Sequence, residues 1–131
     1  MNTTLEKLKA EFAEHVHITP ANLHERVMKV PALKHYWVAW RITAKKERYI
    51  LLGDKMRIKK ALIETEVGRS VVSLSKQTLD KIEDRDELHV VNKKLHDVEE
   101  IIDYLNDAVN IMTFLGNDVR NILELQRQQM E

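Results

Sequence analysis

The chain has 131 residues, enough for one domain with a real core but small for a multi-step enzyme. It is 44% apolar and 32% charged, with three glycines, two prolines and no cysteine. Few loops can be built from so few breakers, which argues for long helices, and disulfides, thiolate zinc sites and a cysteine nucleophile are excluded.

The formal net charge is zero, but Lys/Arg against Asp/Glu run two to four over residues 1–25, twelve to four over 26–69 and seven to thirteen over 70–131, or −2, +8 and −6. A concentrated basic middle is a different electrostatic object from a uniformly neutral chain. The start, Met1 to Glu6, carries no basic segment followed by an apolar one, and no apolar run approaches membrane length. The expectation is a cytosolic protein without a membrane span.

Thr3 and Glu6 form a capping-box pattern that opens a short helix to about Glu14, with Leu5, Leu8 and Phe12 as its apolar stripe. His15-Val16-His17-Ile18 alternates and reads as extended. Thr19-Pro20 supplies an N-cap and a proline at the first helical position of a second helix, which reaches Val30, where Pro31 should kink or restart it. From Ala32 to about Val67 only Gly53 interrupts helix formers, so one long helix is predicted, with Gly68 as its C′ stop. Residues 69–92 are the least defined, with a helix possible over Ser73–Ile82 and a short extended piece over Leu88–Val91. Asn92 then caps a last helix from Lys93 nearly to the end, with relief at Gly116-Asn117.

The long middle helix carries two apolar rows of period seven, Trp37/Ala44/Leu51/Ile58 and Ile42/Tyr49/Met56/Ile63, roughly opposite each other at about 100° per residue. A surface helix of a monomer needs only one such stripe. Cover for the second comes either from the same chain or from another subunit. The last helix is a heptad helix with Leu95, Ile102, Val109, Gly116 and Leu123 at a, and Val98, Leu105, Met112, Val119 and Gln126 at d. Ile101, Ala108, Leu115 and Ile122 at g, with Tyr104, Ile111 and Leu125 at c, make its apolar face wider than a two-stranded seam needs. The apolar a and d positions are the predicted oligomerisation face, the alternative being plain packing within a monomeric bundle.

Arg41, Lys45, Arg48, Lys55 and Lys59 fall within about 40° of one line along the helix, and Lys46, Arg57 and Lys60 cluster on another side. Only Glu47 and Asp54 offset them between Arg41 and Lys60. Phosphate backbone would supply the missing counter-charge with a sequence-independent, salt-sensitive affinity. The bland alternative is a solvated face paired with the acidic C-terminal half. Tyr36, Trp37, Trp40 and Tyr49 interleave with the basic residues, which would fit base stacking, although Trp37 and Trp40 sit in or beside an apolar row and read as core. No zinc finger, RNP motif or helix-turn-helix pattern supports base-specific readout.

Catalytic chemistry finds no foothold. His15-x-His17 could present two imidazoles on one face, but no third ligand follows; Glu99, Glu100, Asp103 and Asp107 have helical spacing without a Glu-x-x-His partner and read as a solvated face. There is no Walker loop, dinucleotide fingerprint or nucleophile elbow. No metal and no cofactor is expected, and the chain reads as a non-enzyme.

Leu23, Leu33, Trp37, Lys45-Lys46-Glu47, Lys55 and Lys60-Ala61, followed by Ile101-Ile102-Asp103-Tyr104, Ala108, Gly116 and Ile122, resemble the UvsY recombination mediators of T-even-type tailed phages in both residues and spacing. Leu5-Glu6, Glu11 and Val16-His17-Ile18 extend the resemblance over nearly the whole chain, apart from the stretch around Ser70 to Val91. No one of these matches is diagnostic; their common register carries the weight. The resemblance implies a non-enzymatic protein of phage DNA recombination, repair and replication. Such a protein binds single-stranded DNA, contacts the phage RecA-like recombinase and the phage single-strand-binding protein, and helps the first displace the second. It also implies ring-like homo-oligomers, described as heptamers, assembled through the C-terminal region, in the cytoplasm of the infected bacterial host. Where that family has a DNA-binding Lys-Ala-Arg, this chain has Lys60-Ala61-Leu62, so Lys59 or Arg57 is the candidate to replace the lost arginine.

The expected architecture is therefore all-α: short N-terminal helices, a long central helix and a long C-terminal helix in one domain, residues 1–131. Residues 1–69 hold the DNA-binding part, 70–92 a connector and 93–131 the oligomerisation helix, assembling into a ring-like homo-oligomer. The expected function is a recombination mediator with Arg41, Lys45, Lys46, Arg48, Lys55, Arg57, Lys59 and Lys60 on the DNA. The alternative is a structural coiled-coil adaptor that binds no nucleic acid.

Overall fold

A computed structural model describes residues 2–69, 81–82 and 85–130, and all the regular structure among them is helical. Helix α1 spans Asn2–His15, α2 Leu23–Arg69 and α3 Asp86–Met130. Most of the predicted helix over Ser73–Ile82 and most of the connector lie outside the described residues. Among these residues no helix is long and apolar enough to cross a membrane.

Two expected elements merge. The segments on either side of Pro31 form one helix of 47 residues. Pro31 has no N–H to offer the Val27 carbonyl, but it is exposed, and buried Val30 and Trp37 hold the helix on either side of it. Packing of this kind outweighs local propensity in long helices. The entry into α2 uses the predicted Thr19, four residues before the regular helix begins at Leu23. Thr19 N–H donates to Asn22 Oδ1 at 2.7 Å and Asn22 N–H faces Thr19 Oγ1 at 3.3 Å, a reciprocal cap with Asn22 in the place of the usual Glu. The stretch expected to be extended leaves α1 by helical turns instead, with Val16 N–H on the Phe12 carbonyl and His17 N–H on that of Glu14. Gly68 does not end α2 in the left-handed conformation: no described glycine has positive φ, and the helix runs on to Arg69.

The largest correction concerns the start of the last helix. Leu88–Val91 is helical, and Asn92 lies inside α3 rather than capping it. Leu88 and Val91 occupy the a and d positions one heptad before Leu95 and Val98, so the 3-4 spacing continues upstream without a break. Asp86 and Glu87 add negative charge to the first turn, where the helix dipole favours it. Arg85 leads in, its carbonyl accepting from Leu88 and His89 N–H. Gly116-Asn117 gives no break either, since α3 runs through it.

Contacts divide the chain into two compact units, residues 1–43 with 101–131, and residues 44–100. In the first, Leu8 and Phe12 of α1 are buried, as are Val30 and Trp37 of α2 and Ile101, Ile102, Leu105, Ala108, Val109 and Met112 of α3. Trp37 is fully enclosed. Phe12 meets it edge-on with centroids 5.3 Å apart, and its indole N–H donates to His15 Nδ1 at 3.1 Å. That bond requires the tautomer with the proton on Nε2. In the second unit Ile82, Leu88 and Val91 form a cluster against which Leu51, Ile58, Leu62 and Ile63 pack, and Ala44, Leu95 and Val98 are also buried. Complete burial of a leucine such as Leu88 or Leu105 contributes roughly 1.5–3 kcal/mol.

Candidate nucleic-acid interface

The basic residues stand on α2, and all but Arg41 belong to the unit of residues 44–100. In the other unit Arg41 is half-buried, its guanidinium 3.4 Å from Asn106 Oδ1. The predicted stripe does not stand clear in solvent as one face. Ala44, Leu51 and Ile58 run beside it and are buried or half-buried, so the stripe borders a packing seam. Arg48 Nε lies 3.3 Å from Glu99 Oε1 of α3, with both side chains close to half exposed. Lys55 and Lys59 are half-buried. Arg57, more exposed, bonds Asp54 three residues back.

Four lysines remain. Lys45, Lys46, Lys55 and Lys60 pair with no carboxylate among the described residues. Lys45, Lys46 and Lys60 are exposed and share the outer side of the helix with the second apolar row. Within this unit that row is open: Tyr49 is 79% and Met56 72% exposed, while Ile63 packs on the cluster of Ile82, Leu88 and Val91. Ile42, in the other unit, is also exposed. Of the two rows, the chain covers the one through Trp37 and leaves most of the other uncovered.

At about 100° per residue, Lys45, Tyr49, Met56 and Lys60 fall within roughly 60° of one line, with Lys46 and Gly53 beside it. The acids stand elsewhere, Glu47 about 160° and Asp54 about 140° round the helix from Tyr49. Lys45 to Lys60 covers about 22 Å at 1.5 Å per residue. This surface presents cations with an exposed ring and thioether among them. Phosphates held by ammonium groups and flat apolar rings held by Tyr49 are its natural complement. Tyr49 belongs in the sequence both to an apolar row needing cover and to the aromatics that interleave with the basic residues; that Met56 shares its face between Lys45 and Lys60 was available from the same periodicity.

The other aromatics of α2 are engaged. Tyr36 O–H donates to Glu11 at 2.6 Å, a bond that holds the phenol proton and raises its pKa above the ordinary value, against a smaller opposing effect of Trp40. Trp37 is core and Trp40 half-buried. Burial raises the Tyr104 phenol on α3. His15 serves Trp37, His17 is exposed, and no group of three metal-ligating side chains occurs among the described residues.

The oligomerisation residues are placed differently from the expectation. Leu95, Val98, Ile102, Leu105, Val109 and Met112 are buried in the chain's own core. Leu123 is half-buried, and the Val119 side chain lies outside the described residues. Among the described side chains of α3, the exposed large apolar residues are Val90 in the unit of residues 44–100 and Ile111, Phe114, Ile122 and Leu125, 43–67% exposed, in the other. The last four follow helical spacing within about 80° of each other.

No protein-family model matches the chain, and no curated protein sequence matches it. Solved structures do. The bacteriophage T4 recombination mediator protein UvsY superposes in one crystal lattice with a TM-score of 0.84 at 18% identity, over 95% of this chain and 98% of that one. In a second lattice the TM-score is 0.81 at 18% identity, over 94% and 98% of the two chains. In a third it is 0.76 at 15%, over 96% and 97%. The chain has the UvsY fold over nearly its full length. Identity this low speaks for the fold alone.

Proposed function

We propose that this protein is a recombination mediator without enzymatic activity. It binds single-stranded DNA and promotes loading of a RecA-like recombinase onto DNA covered by single-strand-binding protein. The observation that carries the reading is the exposed lysine face of α2, Lys45, Lys46 and Lys60 free of carboxylate partners among the described residues, on the fold of a phage recombination mediator. Lys55, Arg57 and Lys59 lie along the flanks of the same helix, and Arg41 and Arg48 would have to exchange present partners to join them.

Assembly of several copies into a ring belongs to the same proposal. Its support is the exposed apolar residues Ile111, Phe114, Ile122 and Leu125, two pairs on one face with exposed Asp118 between them, since exposed apolar surface of this kind marks an interaction site. A strand wrapped over several subunits gains avidity without new contacts. The loading step needs only a differential affinity of the assembly for two strand conformations. The setting is the cytoplasm of an infected bacterial host, with the phage recombinase and single-strand-binding protein as partners.

The Arg48–Glu99 pair favours a second reading, a structural adaptor whose basic part is neutralised by its own acidic half. One experiment separates the two. Labelled oligo-dT is titrated at low and moderate salt, and the rate at which a RecA-like recombinase displaces single-strand-binding protein from the same strand is then measured with and without the protein. Salt-sensitive binding and faster displacement are expected. Absence of binding in dilute buffer returns the chain to the adaptor reading, and binding without faster displacement removes the mediator role.

A further inference from the structure

We propose that Tyr49 is a base-stacking residue, so that the α2 face grips the bases of a single strand as well as its phosphates. The inference rests on the DNA-binding reading above and adds a second kind of contact to it.

Tyr49 makes no hydrogen bond and no ring contact among the described residues and is 79% exposed. The three other aromatics of α2 differ. Tyr36, Trp37 and Trp40 meet edge-on with centroids 5.4 to 6.4 Å apart, and Phe12 and His15 join them. A ring left in water offers an apolar face to a ligand of matching shape. What covers this one is constrained by its neighbours. Lys45 and Lys46 stand one turn before it and Lys60 three turns after, all exposed. One turn after it, Gly53 leaves the approach open: a Cβ built there meets nothing within 4 Å. A group that is flat, apolar on its face and attached to negative charge suits this surface. A nucleobase on its phosphodiester chain has all three properties. A second copy meeting the same face symmetrically would set lysine against lysine.

The test uses the full-length protein, oligo-dT, and an abasic strand of equal length and charge. Tyr49→Leu keeps an apolar side chain that a helix accepts, and Tyr49→Phe keeps the ring. Tyr49→Leu is expected to weaken oligo-dT binding about five- to hundredfold, the range seen when a stacked aromatic is removed from a single-strand binder. The salt slope should hold, because no phosphate contact is lost. Tyr49→Phe should bind like the parent, and the abasic strand should not distinguish the three proteins. Unchanged oligo-dT affinity in Tyr49→Leu, or an equal loss on the abasic strand, overturns the stacking proposal while leaving salt-sensitive binding intact. A smaller mass of Tyr49→Leu by light scattering also overturns it, by making this face a subunit contact. If the parent protein binds neither strand in dilute buffer, the DNA-binding reading itself fails and the stacking proposal with it.

Discussion

Replacing Lys45, Lys46 and Lys60 together by alanine tests whether the lysines without partners are the ones that meet phosphate. Each lysine that neutralises a phosphate of a single strand contributes about 0.7 to the slope of log affinity against log salt. Three such contacts contribute about 2. Between roughly 50 and 200 mM salt, a slope of 2 amounts to nearly twentyfold in affinity. The parent should therefore lose about twentyfold more affinity than the triple variant across that range, and each single substitution should account for about a third of the change in slope. Fold is not at stake, because the three side chains are exposed and alanine is the best helix former. Circular dichroism checks that point.

Arg48→Ala is the control from within the same helix. Arg48 already faces Glu99 at 3.3 Å, so removing it deletes a cation whose charge is largely spent and should move the slope less than any of the three lysines. Fluorescence anisotropy with labelled oligo-dT over a salt series gives all the slopes. An unchanged slope in the triple variant refutes the reasoning. So does a slope change concentrated in Arg48→Ala, which would transfer the contact to the row along the packing seam.

Two further predictions concern the scaffold. Gly53→Ala should raise the urea midpoint, since its added methyl meets nothing and alanine gains about 1 kcal/mol over glycine inside a helix. At Gly116 the same change sets a Cβ 3.2 Å from Val30 Cγ1, itself buried, so its midpoint should rise less or fall; equal gains at the two sites would contradict the packing described. Tyr36 and Tyr104 both hold their phenol protons more tightly when folded, Tyr36 through its bond to Glu11 and Tyr104 through burial. Their contribution to stability is present below the unfolded tyrosine value of about 10 and lost as pH rises through the raised folded values. Urea midpoints in Tyr36→Phe and Tyr104→Phe should accordingly fall less steeply above about pH 10 than in the parent, and an unchanged decline would refute the assignment.

The helices and much of the core were legible because they depend on local spacing. Leu8 and Phe12 on α1, Trp37 on α2 and the a and d positions of α3 from Leu95 to Met112 all lie where period and heptad place them. The start of α3 was legible too, since Leu88 and Val91 continue the register of Leu95 and Val98; three apolar residues in a stretch of four, two of them β-branched, point locally to extended structure and mask the longer repeat. At Pro31 local chemistry predicts a kink or a new helix, and α2 continues through it without a new start. The proline's local cost is real, but the burial that offsets it comes from side chains far away in sequence.

Periodicity states that a face must be covered and is silent on what covers it. Leu95 to Met112 have the spacing of a seam, and a seam with a sister chain has the same spacing as one with the chain's own α2. The structure closes that seam internally, so an assembly would draw on apolar residues that stay exposed, Ile111, Phe114, Ile122 and Leu125 among them. Charge behaves in the same way. Arg48 and Lys45 are one turn apart on the same predicted stripe, yet only Arg48 finds a carboxylate, 51 residues further along the chain. A folded chain thus sorts a basic helix into cations already answered and cations still unanswered, and that second group is the one able to exchange condensed salt ions for phosphate. A mediator without nucleotide chemistry has only such binding energy to work with, which makes the unanswered lysines beside Tyr49 the part of this surface where substitutions should change how the strand is held.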